Sequence, residues 1–375
     1  MNFSDISTNL FDIWREAVES NQVPQTVVLL GAPGIGKTSA CRHLADMMTA
    51  YMAGKGNATE AVCEVRDLSS SLPEDLGGLP FRDGDTTRYA PPVAIRRICE
   101  PGAYGVFVLD DLPAASTAVQ VASRQVSLEH RVHDHLISPR IMIIVTGNRR
   151  EDKSAASTLP AHFRNSVMLL TVEPDLKAWE EWAHGKGADS LITSFLTFRP
   201  AHFSRTPADA DQQGAFATPR TWMMLARILG VARKNKALRE MAAGLVGDGV
   251  AQELCAYELV RTQLVAPEKV LANPEEALPN RSILDSPDKM IAMVTGLADA
   301  AIYKAKGEKG AKAYVQYLKA LAYVTETGGR DYVATSVATF ISHKGNFSKL
   351  KDAVAESRSD VRVSGMLSAL AACFK

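Results

Sequence analysis

The sequence is short of the features that would place a protein on nucleic acid, in an oxidising compartment or in a membrane. Over 375 residues, 42 lysines and arginines balance 42 aspartates and glutamates, so the formal net charge is zero. That balance gives no global basic field to attract a polyanion and leaves only local patches. The five cysteines (Cys41, Cys63, Cys99, Cys255 and Cys373) are scattered, odd in number and without a C-x-x-C pair. Such usage excludes a disulfide framework and is expected of reduced thiols in a cytoplasmic protein. Met1 to Ile6 show no basic segment leading into an apolar core, so no secretion signal is expected. No apolar run approaches the ~20 residues of a membrane-spanning helix, and no membrane partner is expected. No stretch repeats at a fixed period. At this length two or three domains are expected.

What the sequence does contain is a complete G-x-x-x-x-G-K-[ST] pattern: Gly31, Ala32, Pro33, Gly34, Ile35, Gly36, Lys37 and Thr38. The apolar run Val27 to Leu30 precedes it and the helix-compatible stretch Ser39 to Asp46 follows it. Strand, glycine loop and helix in that order are the context in which the pattern denotes a triphosphate site. Main-chain N–H groups can surround crowded phosphates only where side chains do not intervene, which Gly31, Gly34 and Gly36 allow. The loop then forms an anion nest continued by the positive end of the following helix. Lys37 can reach the β- and γ-phosphates, and the Thr38 hydroxyl suits Mg²⁺. ATP and Mg²⁺ are therefore the expected cofactors.

A second strand signal ends in carboxylates. Val106 to Leu109 is an apolar run of the kind buried on both faces of a parallel sheet, and Asp110 and Asp111 follow it. Ligands of open α/β sheets lie at the carboxyl ends of the strands. Asp110 is the expected metal-side carboxylate and Asp111 the polariser of an attacking water. A third apolar run, Ile141 to Thr146, ends at Gly147 and Asn148, and Asn148 could reach the γ-phosphate or the lytic water. The alternatives are an Asp-capped turn and an ordinary strand-ending turn residue.

Taken in order, these residues resemble the AAA+ ATPases, and specifically the MoxR-like branch, over roughly residues 23–230. Pro73 to Pro80 resembles the insert of that branch, Val106 to Asp111 its Walker B strand and Thr146 to Asn148 its sensor 1. Thr218-Pro219-Arg220-Thr221-Trp222 resembles sensor 2, opening a lid helix, and Val119 to Arg131 the intervening helix and hairpin. The resemblance implies ATP hydrolysis in a ring, a hexamer by family, that remodels a protein client such as a von Willebrand A-type protein. It also places Arg220 among the ATP-binding residues and calls for an arginine finger. Two positions depart from the pattern. Walker B carries Asp111 where the family has glutamate, one methylene shorter, which is compatible with slow turnover. The finger position falls on Ser166; Arg164 is the nearest substitute, with Arg149 and Arg150 as alternatives. A guanidinium serves there because it meets phosphoryl oxygens bidentately. The competing class is a nucleic-acid-acting AAA+ protein, such as a helicase loader or viral replication factor. A nucleotide-gated scaffold with negligible hydrolysis is a third possibility.

The expected organisation is a P-loop NTPase (AAA+) α/β domain with a parallel-sheet core at 1–175, a helical lid at 176–266 and a further helical region at 267–375. Residues 7–20 are predicted to form an amphipathic helix, Cys63 to Leu68 a second strand, and 69–104 an exposed insertion. Val172 to Asp175 closes the α/β core. Helices are predicted over Trp222–Lys234 and Ala237–Leu264, then a proline-punctuated linker (Pro267, Pro274, Pro279), then helices near 331–343 and 346–375. Tyr314, Tyr317, Leu318 and Leu321 fall on one helical face and are predicted to be core. His130, His133 and His135 read as exposed hairpin positions rather than metal ligands, since no second ligand cluster matches them. Lys304, Lys306, Lys309 and Lys312 read as a solvated basic loop that could touch a phosphate backbone. Cys41 beside His43 is not expected to act as a nucleophile.

Overall fold

A strand covered on both faces needs apolar side chains at every position, and three of the apolar runs satisfy that condition. In the computed structural model, β1 (Val27–Leu30), β5 (Tyr104–Asp110) and β8 (Arg140–Gly147) lie side by side at the centre of a five-stranded sheet. The strand order is β2-β5-β8-β1-β9, with β2 at Val62–Asp67 and β9 at Met168–Thr171, and every pairing is parallel. The structure describes residues 3–149, 159, 161–205, 214–280, 284–305, 310–326, 332–334, 336–337 and 346–373. The chain divides into two compact units, Met1–Ala178 with Ser204–Arg220, and Trp179–Phe203 with Thr221–Lys375.

The alternation of side chains along each strand sorts the first unit's core into two layers. Val27, Leu29, Val106, Val108, Met142 and Ile144 pack with Leu10 and Trp14 of α1 (Phe3–Glu19) and Leu44 and Met48 of α2 (Lys37–Gly54). Val28, Phe107, Leu109, Ile141, Ile143 and Val145 pack the other way. There they meet Ile95 and Ile98 of α4 (Val93–Ile98) and Val119 and Val126 of α5 (Thr117–Glu129). A continuous apolar run thus serves both layers.

The segment at 69–104 is more ordered than a plain loop. It holds α3 (Pro73–Gly77), an exposed antiparallel hairpin β3 (Leu79–Asp83) with β4 (Thr86–Ala90), and α4. A second hairpin, β6 (Arg131–Val132) with β7 (His135–Leu136), follows α5. The histidines are half-buried rather than exposed, because the two hairpins pack together. The His133 ring stacks on Tyr89 at 3.7 Å, and His135 Nε2 lies 3.0 Å from the Tyr89 carbonyl oxygen. His130 Nε2 lies 3.0 Å from the Ser138 carbonyl oxygen.

The second unit is helical. A short helix, α6 (Ala161–Arg164), precedes β9 in the first unit, and α7 (Leu176–Gly185) leads into α8 (Ser190–Phe198). The stretch expected as one helix over Ala237–Leu264 breaks at Gly247 (φ +92°), giving α10 (Leu238–Val246) and α11 (Asp248–Gln263) after α9 (Pro219–Lys234). The proline-punctuated linker is instead two short helices, α12 (Pro267–Ala272) and α13 (Pro274–Ala277). Each starts on its proline, where a missing N–H costs nothing. Further on lie α14 (Pro287–Ala305), α15 (Gly310–Thr325), α16 (Asn346–Glu356) and α17 (Val361–Cys373). Tyr314, Tyr317, Leu318 and Leu321 are all buried in that core. Of the basic loop, Lys306 and Lys309 lie outside the described residues, as does much of 331–343. Among the described residues, no helix is long and apolar enough to cross a membrane.

Candidate functional site

The loop after β1 is built for close approach. A Cβ on Gly31 would lie 2.5 Å from the Val172 carbonyl oxygen and 2.7 Å from Ile35 Cδ1. Gly34 has φ +77°, which a side chain would strain, and its Cβ position is 2.8 Å from Thr218 Oγ1. Gly36, at φ +100°, caps α2, so the helix begins at Lys37 with its first N–H groups directed at the loop. Ala32 and Ile35 are buried beneath the loop and Pro33 is half-buried.

Three parallel strands deliver the polar groups to this loop. The Lys37 ammonium donates to the carbonyl oxygens of Gly31 (2.8 Å) and Ala32 (3.0 Å) and to Asn148 Oδ1 (3.0 Å). Thr38 Oγ1 donates to the Asp110 carboxylate, 3.1 Å from Oδ2. Asn148 Nδ2 is 3.5 Å from Asp111 Oδ1, at the long limit of a hydrogen bond. Lys37 and Thr38 come from the loop after β1, Asp110 and Asp111 from the end of β5, and Asn148 from the end of β8. The expected phosphate-loop, Walker B and sensor 1 residues therefore meet at the carboxyl end of the sheet.

Asp111 sits in the left-handed region, φ +56° and ψ +40°, a conformation that Asp tolerates better than most residues. Burial, followed by the neighbouring charge of Asp110, pushes its carboxyl above the usual carboxylate range, and Lys37 pulls the other way. A carboxylate so poised is a candidate proton acceptor. Thr38 and Asp110 supply hard oxygen ligands of the type Mg²⁺ takes when phosphates and water complete its shell. Among the described residues, no group of three or more His, Cys, Asp or Glu side chains could hold a metal alone.

Other assigned residues fall differently. The Arg220 N–H donates to the Gly34 carbonyl oxygen at 3.1 Å, so the segment expected as sensor 2 is fastened to the glycine loop through its backbone, while the Arg220 side chain is exposed. Arg164 is exposed at the end of α6, outside the hydrogen-bonded group just described. Arg149 is half-buried one residue beyond Asn148. Arg150 lies outside the described residues. Cys41 is buried in α2, and burial raises its thiol pKa, as a non-nucleophilic cysteine requires.

Two residues that the sequence places only within the sensor-like segments, with no role of their own, also belong to the site. Thr218 is buried against Gly34. Thr146, 1% exposed, donates its hydroxyl to Asp110 Oδ1 and accepts the Asp111 N–H at 3.3 Å. Its signal was the strand register. Leu109 pairs with Val145, so the next step along the ladder sets Thr146 beside Asp110.

No protein-family model matches the chain, and no curated protein matches it. Among solved structures it is similar to a mutant of RuvB from Thermotoga maritima, at 13% identity and TM-score 0.37, covering 81% of this chain and 88% of that one. It is similar to ORC1 of Aeropyrum pernix, solved with DNA, at 15% identity and TM-score 0.38 over 78% and 77% of the two chains. A putative ATPase from Cytophaga hutchinsonii gives 15% identity and TM-score 0.32 over 65% and 80%. With similarity this low, function has to be argued from the residues themselves.

Proposed function

We propose that the protein binds and hydrolyses ATP as an AAA+ ATPase of MoxR-like type. The observation that carries the reading is the meeting of Lys37, Thr38, Asp110, Asp111 and Asn148 around one glycine loop at the carboxyl ends of three adjacent parallel strands. The loop N–H groups and the α2 terminus take the phosphates, and Lys37 exchanges its carbonyl partners for phosphate oxygens. Thr38 and Asp110 would hold Mg²⁺, which would supply positive charge against the phosphates. Asp111 accepts the proton of the attacking water, and Asn148, already within reach of both Lys37 and Asp111, orients that water. Arg220 and, from a neighbouring subunit, Arg164 stabilise charge on the transferring group.

The ring and its protein client belong to the same proposal. The segment at 69–104 supports the client part of the reading: it exposes Leu79 and Phe81 on its hairpin, and Leu72 and Val93 before and after it in sequence. Exposed apolar residues clustered on one segment suit contact with another protein.

The first test compares wild type with Lys37→Ala for binding of a fluorescent ATP analogue and for phosphate release. Wild type is expected to bind and turn over, and the variant to lose at least about a hundredfold in affinity, near 2.7 kcal/mol. Equal binding by the two would remove the site assignment. Capture with Asp111→Asn and Mg-ATP, using Lys37→Ala as the empty control, then separates a protein client from nuclease-sensitive material.

A further inference from the structure

Thr146 is buried beside Asp110 and Asp111, and its single hydroxyl bonds to both residues. It donates to Asp110 Oδ1 and accepts the backbone N–H of Asp111. Asp110 thereby accepts two hydroxyls, from Thr146 on one side and Thr38 on the other. Asp111 is held in a left-handed turn by the same group. A hydroxyl has one proton and two lone pairs, so both bonds can be made at once. Valine would fill the same space on a buried strand and make neither.

We infer that Thr146 is a positioning residue that assigns the neighbouring carboxylates their separate tasks, aiming Asp110 at the metal and Asp111 at the water. The inference rests on the ATPase reading above. A group holding ligands in this way typically contributes ten- to a hundredfold in metal affinity or rate when it is removed, a magnitude of about 1.4–2.7 kcal/mol. A threonine serving only to fill the strand would be replaced by valine with little effect on either.

Thr146→Val and Thr146→Ser separate the two roles, since the first keeps the shape and the second keeps the hydroxyl. Nucleotide affinity without metal, the Mg²⁺ concentration giving half-maximal turnover, and kcat are measured for each. In Thr146→Val the metal-free affinity should stay close to wild type, the Mg²⁺ requirement should rise about tenfold or more, and kcat should fall. Thr146→Ser should recover both. In an Asp110→Asn background, Thr146→Val should add nothing to the Mg²⁺ requirement. A wild-type Mg²⁺ dependence and kcat in Thr146→Val, or equal damage in valine and serine variants, would overturn the inference. If the valine variant does not fold, Thr146→Ala is judged by the same criteria. Wild-type protein that shows no Lys37-dependent nucleotide binding would sink the ATPase reading itself. Wild-type hydrolysis with an indifferent Thr146→Val sinks only the inference.

Discussion

The two units satisfy their buried polar groups in different ways. In the helical unit, Thr295 donates to the Ile291 carbonyl oxygen, Thr325 to Leu321 and Ser194 to Ser190, each one turn back on its own helix. Such bonds are local and leave the side chain nothing to reach with. In the α/β unit several bonds cross between elements, beside local ones such as Ser127 to Ser123 in α5. Trp14 Nε1 donates to the Arg140 carbonyl oxygen, Thr26 to Ser127, and Thr146 to Asp110. Backbone conformations divide similarly. Among the described non-glycine residues, Asn21, Asp111, His130 and His133 have positive φ in the first unit, against Lys236 in the second. The helical core is a packing solution in which position is set by volume. The carboxyl end of the sheet is a positioning solution, where single hydroxyls and strained turns fix charged groups. The helical unit has exceptions, buried bonds between elements: the chain Tyr317–Ser336–Val294, Tyr323 donating to the Leu278 carbonyl oxygen, and Trp222 Nε1 donating to that of His202.

That contrast can be broken most forcefully at Leu321, fully buried in the helical core. Leu321→Ala should cost about 3 kcal/mol of stability through lost transfer energy and the cavity left behind. Chemical denaturation measures it, and a nucleotide titration of the still-folded variant should match wild type. A fall in affinity matching the fall in stability would mean the units do not divide the labour as argued.

Asp111→Asn should do the reverse. Turnover should fall at least about a hundredfold with loss of the proton acceptor, while nucleotide affinity persists. Stability at neutral pH should hold or rise. Because burial and Asp110 raise the folded-state pKa of Asp111, its stabilising contribution is fully present only below the ordinary carboxylate value and is lost as pH rises through the raised one. At pH 7 the ionised side chain is thus a net cost that asparagine removes, and asparagine also accepts the left-handed turn. Melting curves at pH 4 and 7 should show the variant's advantage only at the higher pH. A variant markedly less stable at pH 7 would show that Asp111 holds the fold as well as the chemistry.

Much of this was legible from the sequence, for identifiable reasons. The placement of the glycine loop, of the two acidic residues after Leu109 and of the asparagine after Gly147 could be read because each ends an apolar run whose burial demands a strand. The stripe Tyr314–Leu321 could be read because its spacing fits one helical face. What escaped was information that exists only between elements. Thr146 gains its bonds to Asp110 and Asp111 from the β5–β8 register. The half-burial of His133 and His135 comes from one hairpin stacking on another. The break at Gly247 is invisible to periodicity, because buried residues recur every fourth position across it, Leu238, Ala242 and Val246 in α10 and Val250 and Leu254 in α11. The prolines at 267 and 274 were read as chain breakers, although the first position of a helix also favours them.

The smallest expected effect lies at His130, where the positioning unit depends on a left-handed residue away from the nucleotide. His130 ends α5 at φ +52°, and its half-buried ring donates from Nε2 to the Ser138 carbonyl oxygen. Burial lowers its pKa, against a smaller opposite effect from the Ser138 bond. The stability it contributes is therefore present above the ordinary histidine value and is lost as pH falls through the lowered folded-state value. Wild type should lose melting temperature as the pH is taken from 7 towards 5. His130→Asn keeps a residue suited to the left-handed turn and removes the titrating ring, so that part of the decline should flatten. The lost hydrogen bond should cost about 1 kcal/mol at neutral pH. Nucleotide affinity should not change at any pH in that range. An equally steep decline in the variant would place the acid sensitivity elsewhere, whereas a change in affinity would show that the hairpin junction is coupled to the phosphate loop.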